Sequence, residues 1–526
     1  MPTTDADIAG SPTADPTSDH LARSIAGFCI PLAIAFALLV LASWLESPPG
    51  SYRGPVTWLE TLPADRAGTL LGVAAQLVAG VLAILITVAA IVVELAANRY
   101  THRITQLFVR EPVNFLLMGL YIVTTLLCLW LSGAPEIEGD PRLPRAGLIL
   151  GCLLVSICMA ALLPYFGFLF RFLAPTNVIG RIRRDALALV RRARTRHVPG
   201  ARAGLIEAVE ELEDVARSAR EHSDRSISMA AISALAGLLR DYGPLRDELP
   251  PAWFEIDGTL ALDPDFVSMA PVATAEIRAQ RVWLETKVLR QFLALFSESL
   301  GNARDIANLI ALETRRLTVE AIGPHPALLA LGMRFFNSYL RAALNARDLR
   351  SAYYVLDQYR LLGEAAVSAA DGAHALEVAG HLRFYGHLGY EMNQPFLLEA
   401  VAYDLARLVE HAVERNRPEA TALLDLFLQV DQEAHSTEQE ERLRGVRRAQ
   451  IQLATFFLER GDEAPARRIF EDLKHERADR LATVRQELLA EDRTQYWEFT
   501  DRGVNFSYLS PARREHLARF FSWFPR

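Results

Sequence analysis

Four apolar stretches near the start of the chain constrain its fold more than any other feature. A helix needs about 20 apolar residues to cross a hydrocarbon core of about 30 Å. Ser24–Leu45, Ala67–Ala97, Pro112–Leu131 and Ala146–Leu173 each meet that demand. The second and fourth exceed it and are expected to tilt or project beyond the bilayer. Pro31 and Pro164 are expected to bend their helices unless neighbours satisfy the freed carbonyls. The prediction is a four-helix transmembrane bundle over residues 21–175, preceded by a disordered tail over 1–20 that is rich in Pro, Thr and Asp. That tail is too long and too acidic for the basic lead of a secretory signal. The first apolar run therefore reads as an anchor.

Arginine sets the expected orientation, because cytoplasmic flanks collect basic residues. Arg99, His102, Arg103 and Arg110 lie between the second and third stretches. Arg171, Arg181, Arg183, Arg184, Arg191, Arg192, Arg194 and Arg196 follow the fourth, opposed only by Asp185. The other two loops mix signs, so both termini are expected in the cytoplasm. Lys287 and Lys474 are the only lysines. With so much alanine, that usage points to a GC-rich bacterial genome and a multi-pass protein of the bacterial inner membrane. Arg181, Arg183, Arg184, Arg191 and Arg192 are also candidates for anionic lipid headgroups, at about 1 kcal/mol per basic residue. As a topology signal alone they need no further role.

The second stretch carries Gly68 and Gly72 in a G-x-x-x-G, continued by Ala75, Ala79 and Gly80. Such a small-residue stripe serves close packing within the bundle or self-association. The same helix holds Gln76, Thr87 and Glu94 with Arg99 at its end, a candidate membrane polar site, since polar groups at membrane depth are costly. The plain reading is an interfacial Glu94–Arg99 pair; the functional one is an ion or proton pathway. The four cysteines all lie inside apolar stretches without ligand or redox spacing. A net charge of −8 gives no case for nucleic acid.

Ile84–Arg103 reads I-L-I-T-V-A-A-I-V-V-E-L-A-A-N-R-Y-T-H-R. It resembles a segment of an uncharacterised bacterial membrane family in which a long apolar helix runs into a pattern like L-Q-L-A-S-S-x-Y-S-P-R. Leu95, Ala96, Tyr100 and Arg103 match, and Phe108 is suitably placed. Glu94 stands where that family has glutamine and His102 where it has proline. The resemblance covers residues 68–172 and implies architecture without an activity.

Beyond residue 175 apolar residues recur at helical spacing with no strand-like alternation. We expect an all-α fold: a basic juxtamembrane and helical connector over 176–242, a Pro-rich loop over 243–271, a cytoplasmic repeat-like domain over 272–495 and an aromatic C-terminal segment over 496–526. Ala449–Leu473, with Gly461-Asp462 at its turn, resembles a tetratricopeptide-type hairpin, and Glu377–Val413 a degenerate one. Such arrays offer concave surfaces to peptides and proteins.

Phe335–Leu362 is unusually polar. Asn337, Arg341 and Asn345 share a helical face, followed by Asp348, Arg350, Tyr354, Gln358 and Arg360. They read either as an inter-helix hydrogen-bond network or as a ligand or partner face built on arginine forks. His374, Glu377 and His381, and His387 with Glu391, fall at spacings that can hold a metal, but no complete ligand set is apparent. Tyr496–Pro525 is crowded with aromatics and is expected to dock as a lid. Ser510-Pro511 is expected to cap its last helix.

No phosphate-cradling glycine loop, nucleophile elbow or H-E-x-x-H occurs. No enzyme, metal or cofactor is expected. The leading expectation is a membrane scaffold or sensor whose partners are the lipid bilayer and a protein on the cytoplasmic domain. The alternative is a homo-oligomeric channel or transporter gated by that domain.

Overall fold

The computed structural model describes residues 33–38, 40, 41, 44, 62–99, 108, 111–133, 145–195, 198–431, 437–496 and 501–524. All regular structure among them is helical. The chain divides into two compact units, residues 1–181 and 182–526.

Three helices in the first unit are long and apolar enough to cross a membrane: α1 (Ala64–Arg99), α2 (Pro112–Ser132) and α3 (Arg145–Phe172). The expected count of four spans is therefore corrected to three among the described residues. Most of Ser24–Leu45 lies outside them.

Small residues let these helices approach. A side chain at Gly68 or Gly72 would meet Ser132 at the end of α2. One at Gly151 of α3 would meet Leu71 within 2.9 Å. Ala67, Leu71, Ala75, Val78 and Leu85 form the buried face of α1. Polar groups between the helices are bonded to one another, as a medium without water requires. Tyr121 donates to the Cys158 carbonyl at 2.6 Å, Tyr165 to Asn114 Oδ1 at 3.2 Å, and Asn114 to the Phe108 carbonyl at 2.6 Å.

The second unit continues from α4 (Pro175–Ala193), which crosses the division, through α5 (Val198–Glu221) and α6 (Arg225–Arg246). Within the Pro-rich stretch 243–271, Pro251–Phe254 is a tight 3-10 turn and Gly258–Ala261 a single helical turn. Arg202 of α5 donates to the Glu255 carbonyl at 2.6 Å and pairs with Asp257. After α7 (Pro271–Gln280) comes α8 (Trp283–Ser299), whose buried Lys287 reaches Asp263 at 2.7 Å, Asp265 at 3.0 Å and Glu210 at 3.2 Å. All three ammonium donors are used. Burial alone would lower this lysine's pKa; the carboxylates outweigh it and raise it.

Ten further helices complete the unit: α9 (Arg304–Ala321), α10 (Pro326–Asn345), α11 (Leu349–Ser368), α12 (Gly372–Glu391), α13 (Pro395–Glu414), α14 (Ala420–Leu428), α15 (Thr437–Glu459), α16 (Glu463–Leu473), α17 (Ala478–Ala490) and α18 (Pro511–Phe521). They stack in two layers. α6, α9, α11, α13 and α15 follow one another in one layer; α8, α10, α12 and α14 form the other.

One turn recurs between successive helices. Arg347, Ala370, Asn393 and Asn416 are left-handed, at equal intervals along the chain, and Gly461 repeats the geometry further on. The next residue returns its N–H to the helix just ended, as in Asp348 to Ala343 at 3.0 Å and Asp371 to Ala366 at 2.9 Å. Asp348 and Asp371 then cap the following helix, accepting from Ser351 and His374.

Two outcomes are expected from these features. Ala370 has φ +62°, where a Cβ is strained, so Ala370→Gly should stabilise the unit by about 0.5–1 kcal/mol. An unchanged or lowered chemical-denaturation midpoint would count against this. Glu285 is fully buried, 3.3 Å from Arg246, and burial pushes its carboxyl up to about 7 against the opposing pull of that arginine. Its folded pKa lies above the ordinary glutamate value of 4.5. Stability held with Glu285 protonated is therefore lost as pH rises from about 4.5 through about 7. Melting curves at pH 5 and pH 8 should show Glu285→Gln gaining on the wild type at the higher pH.

Candidate functional site

The candidate membrane polar residues share a face of α1. Gln76, Thr87 and Glu94 are separated by whole helical turns and are all exposed on the described surface. Thr69, Gly80, Ala83 and Ala90 lie on the same side and are exposed too. Thr87 returns its hydroxyl to the Ala83 carbonyl at 2.8 Å. The small-residue stripe thus divides: Gly68, Gly72 and Ala75 pack towards α2 and α3, whereas Ala79 and Gly80 point away. Arg99 ends the helix, and its side chain lies outside the described ones.

The basic cluster divides as well. Arg181 pairs with Glu111 at 2.8 Å and covers the Phe172 ring at 4.3 Å. Arg183 pairs with Asp241 at 2.5 Å. Arg184, Arg191 and Arg192 are exposed.

The polar residues of Phe335–Leu362 do not converge on one face. The Asn337 carbonyl accepts from Tyr385, and Arg341 lies 6.0 Å from that tyrosine's ring. Asn345 and Arg350 are exposed and Tyr354 is half-buried. Asp348 is taken up by its turn, with Arg304 at 3.2 Å, and Gln358 accepts from Arg315 at 2.8 Å. The histidines likewise have local partners. His374 faces Asp371, His381 meets the Tyr359 hydroxyl at 2.7 Å, and His387 meets the Gln429 carbonyl. No cluster of three metal-ligating side chains occurs among the described residues.

Only Arg360 of that expected face reaches a cleft of about 460 Å³ between helices α11, α13 and α15 and the C-terminal segment. Residues 501–510 cross this layer without regular structure, held by polar anchors together with the Phe506 ring and the buried Leu509. Arg502 donates to Asp404 at 2.6 Å and to the Tyr353 carbonyl at 2.5 Å, with its guanidinium 3.8 Å from the Tyr353 ring centre. Arg360 also faces Asp404, at 3.3 Å, and is itself held by Asp357 and Glu364.

Phe506 stacks on Tyr403 at 4.4 Å, with Tyr353 edge-on at 6.2 Å. Gln452 donates to the Phe506 carbonyl at 2.8 Å, and Arg448 reaches Ser507 at 3.1 Å. Farther on, Arg513 pairs with Glu410 at 2.7 Å. The segment then enters α18, capped by Ser510 with Pro511 at its first position. Burial pushes the Asp404 carboxyl up, although Arg502 and Arg360 both pull it down. One of its oxygens, Oδ2, is buried without a hydrogen-bond partner, as is the Tyr403 hydroxyl.

Sequence reasoning missed Tyr353, Tyr403, Asp404, Gln452 and Arg502. They lie far apart in the chain, and each alone looks like an ordinary helix or loop residue. The density of aromatics after residue 496 was the one available signal.

The apolar helices define the class, an all-helical membrane protein. Residues 25–238 match the model of a family described as "Predicted membrane protein (DUF2254)", in keeping with the resemblance carried by Ile84–Arg103 and extending beyond it at both ends. The matched stretch takes in α1 to α5 and most of α6, and it stops before the cleft. No curated protein and no solved structure matches the chain.

If polar anchors hold the segment, Arg502→Met should free it while the helical layers persist. Limited proteolysis should then cut within residues 491–510 well before the wild type, with helix content unchanged by circular dichroism. Equal cutting rates would show that the aromatic and α18 contacts suffice.

Proposed function

We propose that this chain is a membrane-anchored binding protein of the bacterial inner membrane, with both termini in the cytoplasm and the helical unit of residues 182–526 docking a protein partner. The observation that carries the reading is the seating of residues 501–510 across α11, α13 and α15. A side-chain amide meets main-chain carbonyls there, and one arginine and one aromatic side chain fill dedicated places. That is how helical layers hold an extended peptide. The evenly spaced turns support a repeat array of the tetratricopeptide kind. The exposed Arg184, Arg191 and Arg192 suit anionic headgroups beside the membrane.

A photo-crosslinking residue in place of Arg407, at the cleft edge, should give a discrete adduct in native membranes. The same residue at Arg334, an exposed site away from the cleft, should not. Repeated absence of any position-specific adduct would sink the reading.

One observation favours a second reading, an oligomeric channel or transporter: Gln76, Thr87 and Glu94 share the outward face of α1. Reconstituted liposomes separate the two. Ion flux altered by Glu94→Gln would support the pathway, whereas no flux under varied pH and voltage would favour the binding protein.

A further inference from the structure

The way residues 501–510 sit in the cleft shows what it selects. We propose that the α11–α13–α15 layer docks an extended segment of a partner protein bearing an arginine and, at the spacing of Arg502 and Phe506, an aromatic residue, with the chain's own segment as resident competitor. The proposal rests on the binding reading above and names the chemistry of the partner.

The arginine place is specific. A carboxylate, a carbonyl and the Tyr353 ring meet the Arg502 side chain, which is only 4% exposed. A planar guanidinium satisfies all three together, and an ammonium cannot. The place also survives vacancy, because Arg360 still neutralises Asp404 from 3.3 Å and is fixed by Asp357. The aromatic place is set by the stacked face of Tyr403 and the edge of Tyr353.

Between these anchors only Asn505 is buried, and it bonds to its own C-terminal stretch, donating to the Arg493 carbonyl at 3.0 Å. Gly503 and Val504 are exposed. Gln452 touches only main-chain carbonyls, which any peptide offers. The resident segment is also tethered beside its place, since Leu517 and Phe520 of α18 are buried. A short tether holds its load at an effective concentration on the order of millimolar. A partner therefore competes against that concentration, and vacating the cleft should strengthen its binding.

The test uses the full chain in detergent micelles and a labelled peptide, Asp-Arg-Gly-Val-Asn-Phe-Ser-Tyr-Leu-Ser, the sequence of residues 501–510. The double variant Arg502→Ala, Phe506→Ala should bind it saturably, at least about tenfold more tightly than the wild type. Replacing the peptide's arginine by lysine should weaken binding by about tenfold, the equivalent of one charge-assisted hydrogen bond.

A second measurement spares the anchors: a polarity-sensitive dye on Val504→Cys should report displacement of the segment by excess peptide, but not by its arginine-to-alanine form. The proposal is overturned if the folded double variant does not bind, or if arginine and lysine peptides bind alike. It is also overturned if unlabelled full-length chain displaces the dye-labelled segment as well as peptide does, which would make a second copy the occupant. A position-specific adduct from Arg407 together with any of these results would leave the broader binding reading standing and reject this partner chemistry alone.

Discussion

Each helical hairpin in residues 347–417 closes through the same local event. A residue in the left-handed region ends one helix, and its successor sends a backbone N–H back five residues, as Gln394 does to Gly389 at 2.8 Å and Arg417 to Ala412 at 2.9 Å. That bond satisfies an end-of-helix carbonyl that would otherwise lie unpaired among packed helices. It also reverses the chain within a residue or two. Repeated at equal intervals, it sends alternate helices to alternate layers, and the register of α11 and α13 follows from it. The cleft depends on that register, since Tyr353, Asp404 and Gln452 come from three successive helices of one layer.

Buried charge is handled by sharing. Lys287 is surrounded by carboxylates, Arg202 by carbonyls and Asp257, and Asp404 by two arginines. A buried ion without such company would cost several kcal/mol. These clusters tie distant stretches together, so they bind the Pro-rich stretch to α5 and α8 and the C-terminal segment to α11 and α13. The sharing is incomplete at Asp404 and Glu285, where one carboxylate oxygen each lacks a partner and the carboxyl is pushed up.

In the membrane unit the same accounting runs on neutral groups. Tyr121, Asn114 and Tyr165 join α2 to α3 through hydroxyl and amide bonds that need no water. Gly68, Gly72 and Gly151 allow α1 to approach α2 and α3 closely. The opposite side of α1, with Gln76, Thr87 and Glu94, takes no part in this packing.

The helical class, the apolar spans α1 to α3 and the helical periodicity beyond residue 175 were legible in the chain by itself, because each follows from short-range spacing. The cap at Ser510-Pro511 was legible for the same reason. The repeat was only partly so. Its turns use Arg347, Ala370 and Asn393 in a conformation that glycine usually marks, so only the Gly461-Asp462 copy stood out. The cleft was not legible at all. Arg502 and Asp404 meet across 98 residues, and no local pattern announces a pair whose partners are chosen by layer stacking. Residues that look alike on a helical wheel, such as Asn337, Arg341 and Arg360, parted company once packing decided which faced a neighbour, which faced water and which faced the C-terminal segment. Local spacing determines what helices a chain makes; only their packing decides which side chains meet.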